Sequence, residues 1–327
     1  MNNAPYNKYN FILSVIGFIG SIGFYFGVLS ELASPNYEKE LIEELKQENT
    51  FLKDQIKALT HQKNQQMNSL IETEKSEKAF INWMIAKLTL NSSQTRRQTE
   101  KMAKSLGILD KTRIKELTEY SVVKRARQLA SATGTPKEKF DTIVNLYEHQ
   151  TNLSFRTSQS ILLKQYSTPA PIGYLMGLYC GIDTGRKHTF EPSAGNGLLT
   201  IATNPKMVTV NEIDRNRRVN LEREPYAEIL NKDASDARSF GAYHQHFDAV
   251  ITNPPFGRIG KESEVFVNGY RIYDLDHHMA IIALDTMKDT GKSAIIVGGH
   301  LRFDERGRIM AGKDRIFFNY LYHHYHS

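Results

Sequence analysis

Thr189-Phe190-Glu191-Pro192-Ser193-Ala194-Gly195-Asn196-Gly197, running on into Leu198-Leu199-Thr200-Ile201, is the stretch on which the fold class turns. It reads as a strand, a glycine-bearing turn and the start of a helix. Glycines in such a turn let the backbone approach a bound ligand. The pattern is common by itself, and its neighbours make it specific. Met207-Val208-Thr209-Val210 reads as a second strand and ends at Asn211-Glu212-Ile213-Asp214. Glu212 stands 17 residues after Gly195, close to the spacing at which an acid grips ribose hydroxyls. One carboxylate offers two acceptor oxygens to two hydroxyl donors. Ile229-Leu230 leads in turn to Asn231-Lys232-Asp233-Ala234, where Asp233 can accept from an exocyclic amine. Acids at successive strand ends favour a nucleoside-containing cofactor. No GxxxxGKS phosphate loop is present, which argues against a nucleoside triphosphate. Glu191 beside the glycines disfavours a pyrophosphate and suits a cationic group.

Further along, the apolar strand Phe247-Asp248-Ala249-Val250-Ile251 runs into Thr252-Asn253-Pro254-Pro255-Phe256-Gly257. Two consecutive prolines fix φ and remove two backbone donors, giving a stiff loop. The Pro254 carbonyl is left to accept from a ligand beside the Asn253 amide oxygen. Together they can take both hydrogens of one planar amino group, with Phe256 as a stacking face for its ring.

Glu191 to Gly197, Glu212 with Asp214, Asp233, and Asn253 to Phe256 together resemble the S-adenosylmethionine-dependent DNA N6-adenine methylases. Upstream, Gln165-Tyr166-Ser167-Thr168-Pro169-Ala170-Pro171-Ile172 looks like the Tyr-Thr-Pro element of the gamma-ordered members, which touches the cofactor's methionine end. The stretch from Leu275-Asp276-His277-His278 to Gly298-Gly299-His300 resembles methylases of bacterial mobile elements. The resemblance covers roughly residues 137–327. It implies a Rossmann-like doubly wound α/β sheet and S-adenosylmethionine as cofactor. Thr168, Pro169, Glu191, Ser193, Gly195, Gly197, Glu212 and Asp233 would bind that cofactor. Asn253, Pro254, Pro255 and Phe256 would hold the target amine for direct methyl transfer. The target base must leave the duplex to reach such a pocket. DNA is the implied partner. Members of the family close the sheet with a further hairpin and a recognition domain, whereas about thirty residues follow Ser293-Ala294-Ile295-Ile296-Val297 here. The sheet is therefore expected to be truncated at its C-terminal side: either the polypeptide is cut short, or a partner chain completes the sheet and supplies target recognition, or the chain is a degraded relative.

The rest of the chain differs in character. Hydrophobic residues are 40% and charged residues 24% of 327, a globular composition that excludes a disordered tail or a collagen-like fibre. The single cysteine, Cys180, excludes a disulfide scaffold and a cysteine-rich zinc module. It lies in an apolar helix-like stretch, which also argues against cysteine-dependent methylation at carbon. Phe11 to Leu29 carries no charge for nineteen residues, about the span of a hydrocarbon core. It reads as a membrane anchor, with a signal peptide and a buried helix as rivals. Leu45, Leu52 and Leu59 recur every seven residues, with Leu41, Ile42 and Ile56 widening the stripe, so a helical stalk able to self-associate is expected. Between Lys87 and Arg127 eleven basic residues face four acidic ones, either a solvated helical face or a phosphate-attracting patch. The histidine pairs His277-His278 and His323-His324, with His326, read as surface residues, and no metal-ligand set stands out.

The expected organisation is a tail and transmembrane helix over 1–33, a helical, coiled-coil-like stalk with a basic segment over 34–135, and the methyltransferase-like domain over 136–327. A single-pass membrane protein with that domain in the cytoplasm is expected. Three functions stay open: adenine-N6 methylation of DNA, methylation of a protein glutamine amide or an RNA base amine, and a non-catalytic membrane-tethered remnant that binds DNA or a partner.

Overall fold

A computed structural model describes residues 35–152, 167–259, 265–267, 269–299, 303–310 and 312–325. The chain divides into two units, Met1–Glu72 and Thr73–Ser327. Helix α1 (Pro35–Thr89) is 55 residues long. Within the first unit its seven-residue stripe leaves Leu45 and Leu52 half-buried and Ile56 and Leu59 exposed.

In the second unit, α2 (Arg96–Ser105), α3 (Lys111–Ser131) and α4 (Pro136–His149) precede α5 (Ala170–Cys180). Their starts follow local chemistry. Thr95 and Thr135 each cap a helix through a reciprocal box with Gln98 and Glu138, and Asp110 accepts from the Thr112 and Arg113 amides. Strands β1 (Thr189–Glu191), β2 (Val208–Asn211), β3 (Glu228–Leu230), β4 (Phe247–Thr252) and β7 (Met287–Ile295) form one parallel sheet in the order β3-β2-β1-β4-β7. Helix α6 (Arg215–Leu221) links β2 to β3. An antiparallel hairpin, β5 (Val265–Val267) and β6 (Tyr270–Ile272), and helix α7 (Leu275–Asp285) stand between β4 and β7, and α8 (Lys313–His324) follows.

Alternation along β4 shows why the sheet is covered on both faces. Val250 packs with Phe190, Met279, Ile282 and Ala283 towards α7. Ala249 and Ile251 pack with Cys180, Ile182 and Leu199 towards α5. Burial pushes the Cys180 thiol up to about 11, which leaves it a protonated core side chain.

The order reverses between β1 and β4: β2 and β3 run outward on one side, β4 and β7 on the other. In open parallel sheets, ligands bind beyond the carboxyl ends of the strands at such a switch point.

The expected transmembrane helix and single-pass membrane placement are corrected. Among the described residues no helix is long and apolar enough to cross a membrane. The longest, α1, bears Glu43, Glu44, Lys46, Glu48, Lys53, Asp54 and Lys57 within a few turns, and each charge at a bilayer centre costs about 2.5 kcal/mol or more. Residues 11–29, where the anchor was expected, lie outside the described residues. The fold class is a mixed α/β fold around a parallel sheet.

Part of the polar, basic stretch before Pro136 differs from its reading as a solvated face or a phosphate-attracting patch. Helix α3 is largely interior: Arg113, Lys115, Glu116, Glu119 and Arg127 are all buried. Arg113 grips Glu77 through two bonds of 2.6 and 2.7 Å. Arg127 donates to the Thr200 and Thr203 carbonyls, the Thr200 hydroxyl and the Tyr226 hydroxyl. Arg113 and Arg127 are thus consumed by internal partners, while Arg96, Arg97, Lys101, Lys104 and Lys111 of the same stretch stay exposed. Arg127 also accounts for a local difference. Leu198–Thr200 makes one 3-10 turn where a helix start was expected, and the guanidinium takes carbonyls there that a longer helix would use itself.

Candidate active site

Three strand ends are stitched together by one side chain. Asn211, closing β2, donates to the Pro192 carbonyl at 2.9 Å and the Lys232 carbonyl at 3.1 Å, and accepts from the Lys232 amide at 2.8 Å. The loops after β1, β2 and β3 are thereby held side by side. With the Asn253 loop after β4 they line a cavity of about 390 Å³.

The cavity brings together Thr168, Ser193, Gly195, Glu212, Asp233, Asn253, Pro254 and Pro255. Pro169, Glu191, Gly197 and Phe256 are not in its wall. Glu119, Asn196, Asn211, Arg217, Lys232, Leu275 and Met279 are wall residues that sequence reading did not single out. Glu119 and Arg217 carried no local signal, because α3 reads as a solvated charged helix and Arg217 as one of several arginines in a short one.

Gly195 and Gly197 adopt φ +57° and +89°, the left-handed region that a side chain resists. Their roles differ. The Gly195 amide donates to Glu212 Oε2 at 2.7 Å, so the turn is strapped to the acid at the end of β2. A Cβ at Gly197 would collide with the Tyr226 hydroxyl and crowd Leu221, so this glycine serves packing beneath the turn. Gly197→Ala is expected to cost about 1–3 kcal/mol. An unchanged chemical-denaturation midpoint would show that Tyr226 yields freely.

Glu212 is buried, and burial raises its carboxyl above the ordinary range, against the pull of Arg217 and the amides of Asp214 and Gly195. Each oxygen accepts one amide, Asp214 on Oε1 and Gly195 on Oε2, and each keeps a second acceptor site. Asp233 accepts the Ser235 amide and hydroxyl on Oδ1. Glu191 is fully buried below the turn and receives the Ser193 amide at 3.1 Å. Burial pushes its carboxyl up to about 8.

Asn253 is oriented by its neighbour. Nδ2 donates to the Thr168 hydroxyl at 2.8 Å, which fixes the amide, while Oδ1 is buried and has no hydrogen-bond partner. A buried amide oxygen without a donor is costly. Phe256 is half-buried, with its ring beside Gly298.

The histidine reading needs correction too. His277 is buried, stacks on Phe317 at 4.2 Å and has Nε2 on the Gly298 carbonyl at 2.8 Å. With Asp274 and Asp314 it places three ligand-type atoms within 4.8 Å of one another. The 27 residues between the end of α7 and the start of α8 hid that proximity from the sequence. Gln165, Tyr166, His300 and His326 lie outside the described residues.

No protein-family model matches the chain, and no curated protein matches it. Among solved structures, a protein of Pyrococcus horikoshii assigned as an RNA methyltransferase is 17% identical with a TM-score of 0.31, over 46% of this chain and 70% of that one. A type I restriction-modification methyltransferase subunit of Streptococcus thermophilus is 15% identical with a TM-score of 0.34, over 66% of this chain. The match spans 54% of that subunit's own length. Likeness at this level carries no weight for chemistry, which rests on the side chains.

Proposed function

We propose that this chain is an S-adenosylmethionine-dependent methyltransferase acting on a planar exocyclic amine, the N6 amine of adenine in DNA. The observation that carries this reading is the Asn253 amide. Its nitrogen is occupied by Thr168 and its buried oxygen awaits a donor, in the same cavity as Glu212 and Asp233.

The residues fit the cofactor. The cavity volume falls within the range of small-molecule sites, about 300–1,000 Å³. Glu212 retains acceptor capacity for two ribose hydroxyls, and Asp233 retains Oδ2 for an amine. When bound, S-adenosylmethionine supplies an electrophilic methyl group on sulfur. The chain's own share is placement. Asn253 Oδ1 accepts one hydrogen of the target amine and the Pro254 carbonyl the other, which directs the nitrogen lone pair. Consecutive prolines keep that pair of acceptors stiff, so little ordering remains to be done on binding. A base in a duplex cannot enter the cavity, so the target is extruded, and Phe256, next along the loop but outside the cavity wall, would have to turn towards it to stack.

The test uses the full chain with labelled S-adenosylmethionine and, in parallel, DNA with and without adenine, RNA and protein extract. Label is expected on adenine-containing DNA, and Asn253→Ala is expected to lower transfer at least about 100-fold. Label on RNA or protein alone would replace the substrate and keep the chemistry. Cofactor binding with no transfer to any acceptor would favour a non-catalytic remnant.

A further inference from the structure

The geometry points to a clamp for the α-amino and α-carboxylate groups of a ligand's amino-acid end, built from Glu119 of α3 and Arg217 of α6. It rests on the nucleoside-cofactor reading above and adds to it the part of the chain that no motif covers.

Glu119 and Arg217 are 4% and 5% exposed, and both stand in the wall of the same cavity. They carry opposite charges yet do not pair with each other. Arg217 Nε donates to Glu116 Oε2 at 3.0 Å. Glu119 Oε2 accepts the Ser167 hydroxyl at 2.7 Å. One donor is left over: Arg217 Nη2 is buried without a partner. An unsatisfied donor on a buried guanidinium is costly and calls for a partner. The glycine turn passes close by: a Cβ at Gly195 would lie 3.5 Å from Arg217 Nη1.

Burial works against the Arg217 charge. Glu116, Glu119 and Glu212 around it outweigh that effect and hold the guanidinium protonated. The cavity wall therefore carries a cationic guanidinium close to the glycine turn and, in the same wall, the Glu119 carboxyl group. An amino-acid end bears an ammonium and a carboxylate on one carbon and can satisfy both at once. A neutral group there would leave Arg217 Nη2 without an acceptor. Glu116 completes the arrangement from behind, because its Oε2 also accepts from Asn196 Nδ2 at 2.7 Å and so ties Arg217 to the turn.

Two ligands separate this from other accounts: S-adenosylhomocysteine, which has the amino-acid end, and 5′-methylthioadenosine, the same nucleoside thioether without it. Calorimetry on the full chain is expected to show the first bound about 100-fold more tightly or better, as two charge-assisted contacts allow. Glu119→Gln is expected to cut that preference about tenfold while leaving 5′-methylthioadenosine unchanged. For Arg217 the paired variant Glu116→Gln/Arg217→Gln avoids stranding a buried charge and should also lose the preference. Equal weakening of both ligands by Glu119→Gln, or no change, overturns the clamp while the cofactor reading survives. If neither nucleoside binds the unaltered chain, both readings fall.

Discussion

Glu77→Ala is expected to lower the unfolding free energy by about 3–5 kcal/mol, the loss associated with breaking a buried ion pair from one side. Glu77 is buried near the end of α1 and receives both Arg113, bidentate, and Arg223. Removing the carboxylate leaves two guanidinium groups in the interior. Arg113 keeps the Asn216 carbonyl at 2.7 Å, whereas Arg223 Nε is already without a partner. The effect should reach the site, because Asn216 belongs to α6, the helix that carries Arg217. Urea unfolding followed by circular dichroism measures the loss. A midpoint equal to that of the unaltered chain would mean that water replaces Glu77 without penalty.

The second large effect is a pH dependence centred on Glu191. Burial raises its folded-state carboxyl from the ordinary 4.5 to about 8. As pH rises, the unfolded chain loses this proton first. Between about pH 4.5 and 8 the native state therefore binds more protons than the unfolded state, and stability falls with rising pH. Near 1.36 kcal/mol per pH unit, the full span amounts to a loss on the order of 5 kcal/mol. Glu191→Gln keeps the shape and cannot ionise. Its stability should match the unaltered protein near pH 4.5 and exceed it by a few kcal/mol at pH 8. Parallel denaturation curves for the two proteins across that range would show that Glu191 ionises freely in the fold.

The strand pattern was readable because each strand is a short apolar run ended by polar residues, and those ends, Asn211, Asp233 and Asn253, carry the chemistry. The β5–β6 hairpin escaped notice, since Val265 to Ile272 is too short and too mixed for a periodic signal. Helix α3 escaped for a different reason. A charged residue in sequence looks solvated, and whether it is depends on partners that sequence distance hides. Glu116 meets Arg217 across 101 positions, and Arg127 meets Thr200 across 73.

What the amino-acid order determined alone was the succession of strands, the glycine turn at Gly195 and Gly197, and the stiff Asn253-Pro254-Pro255 loop, because these depend on local backbone freedom and short-range periodicity. Only the tertiary structure decided that Glu119 and Arg217 share a wall with Asn253, that Glu191 lies outside the cavity, and that Arg113, Lys115 and Arg127 of the basic segment are interior. Burial and pairing of charge are set by which distant groups meet, and no local pattern records them.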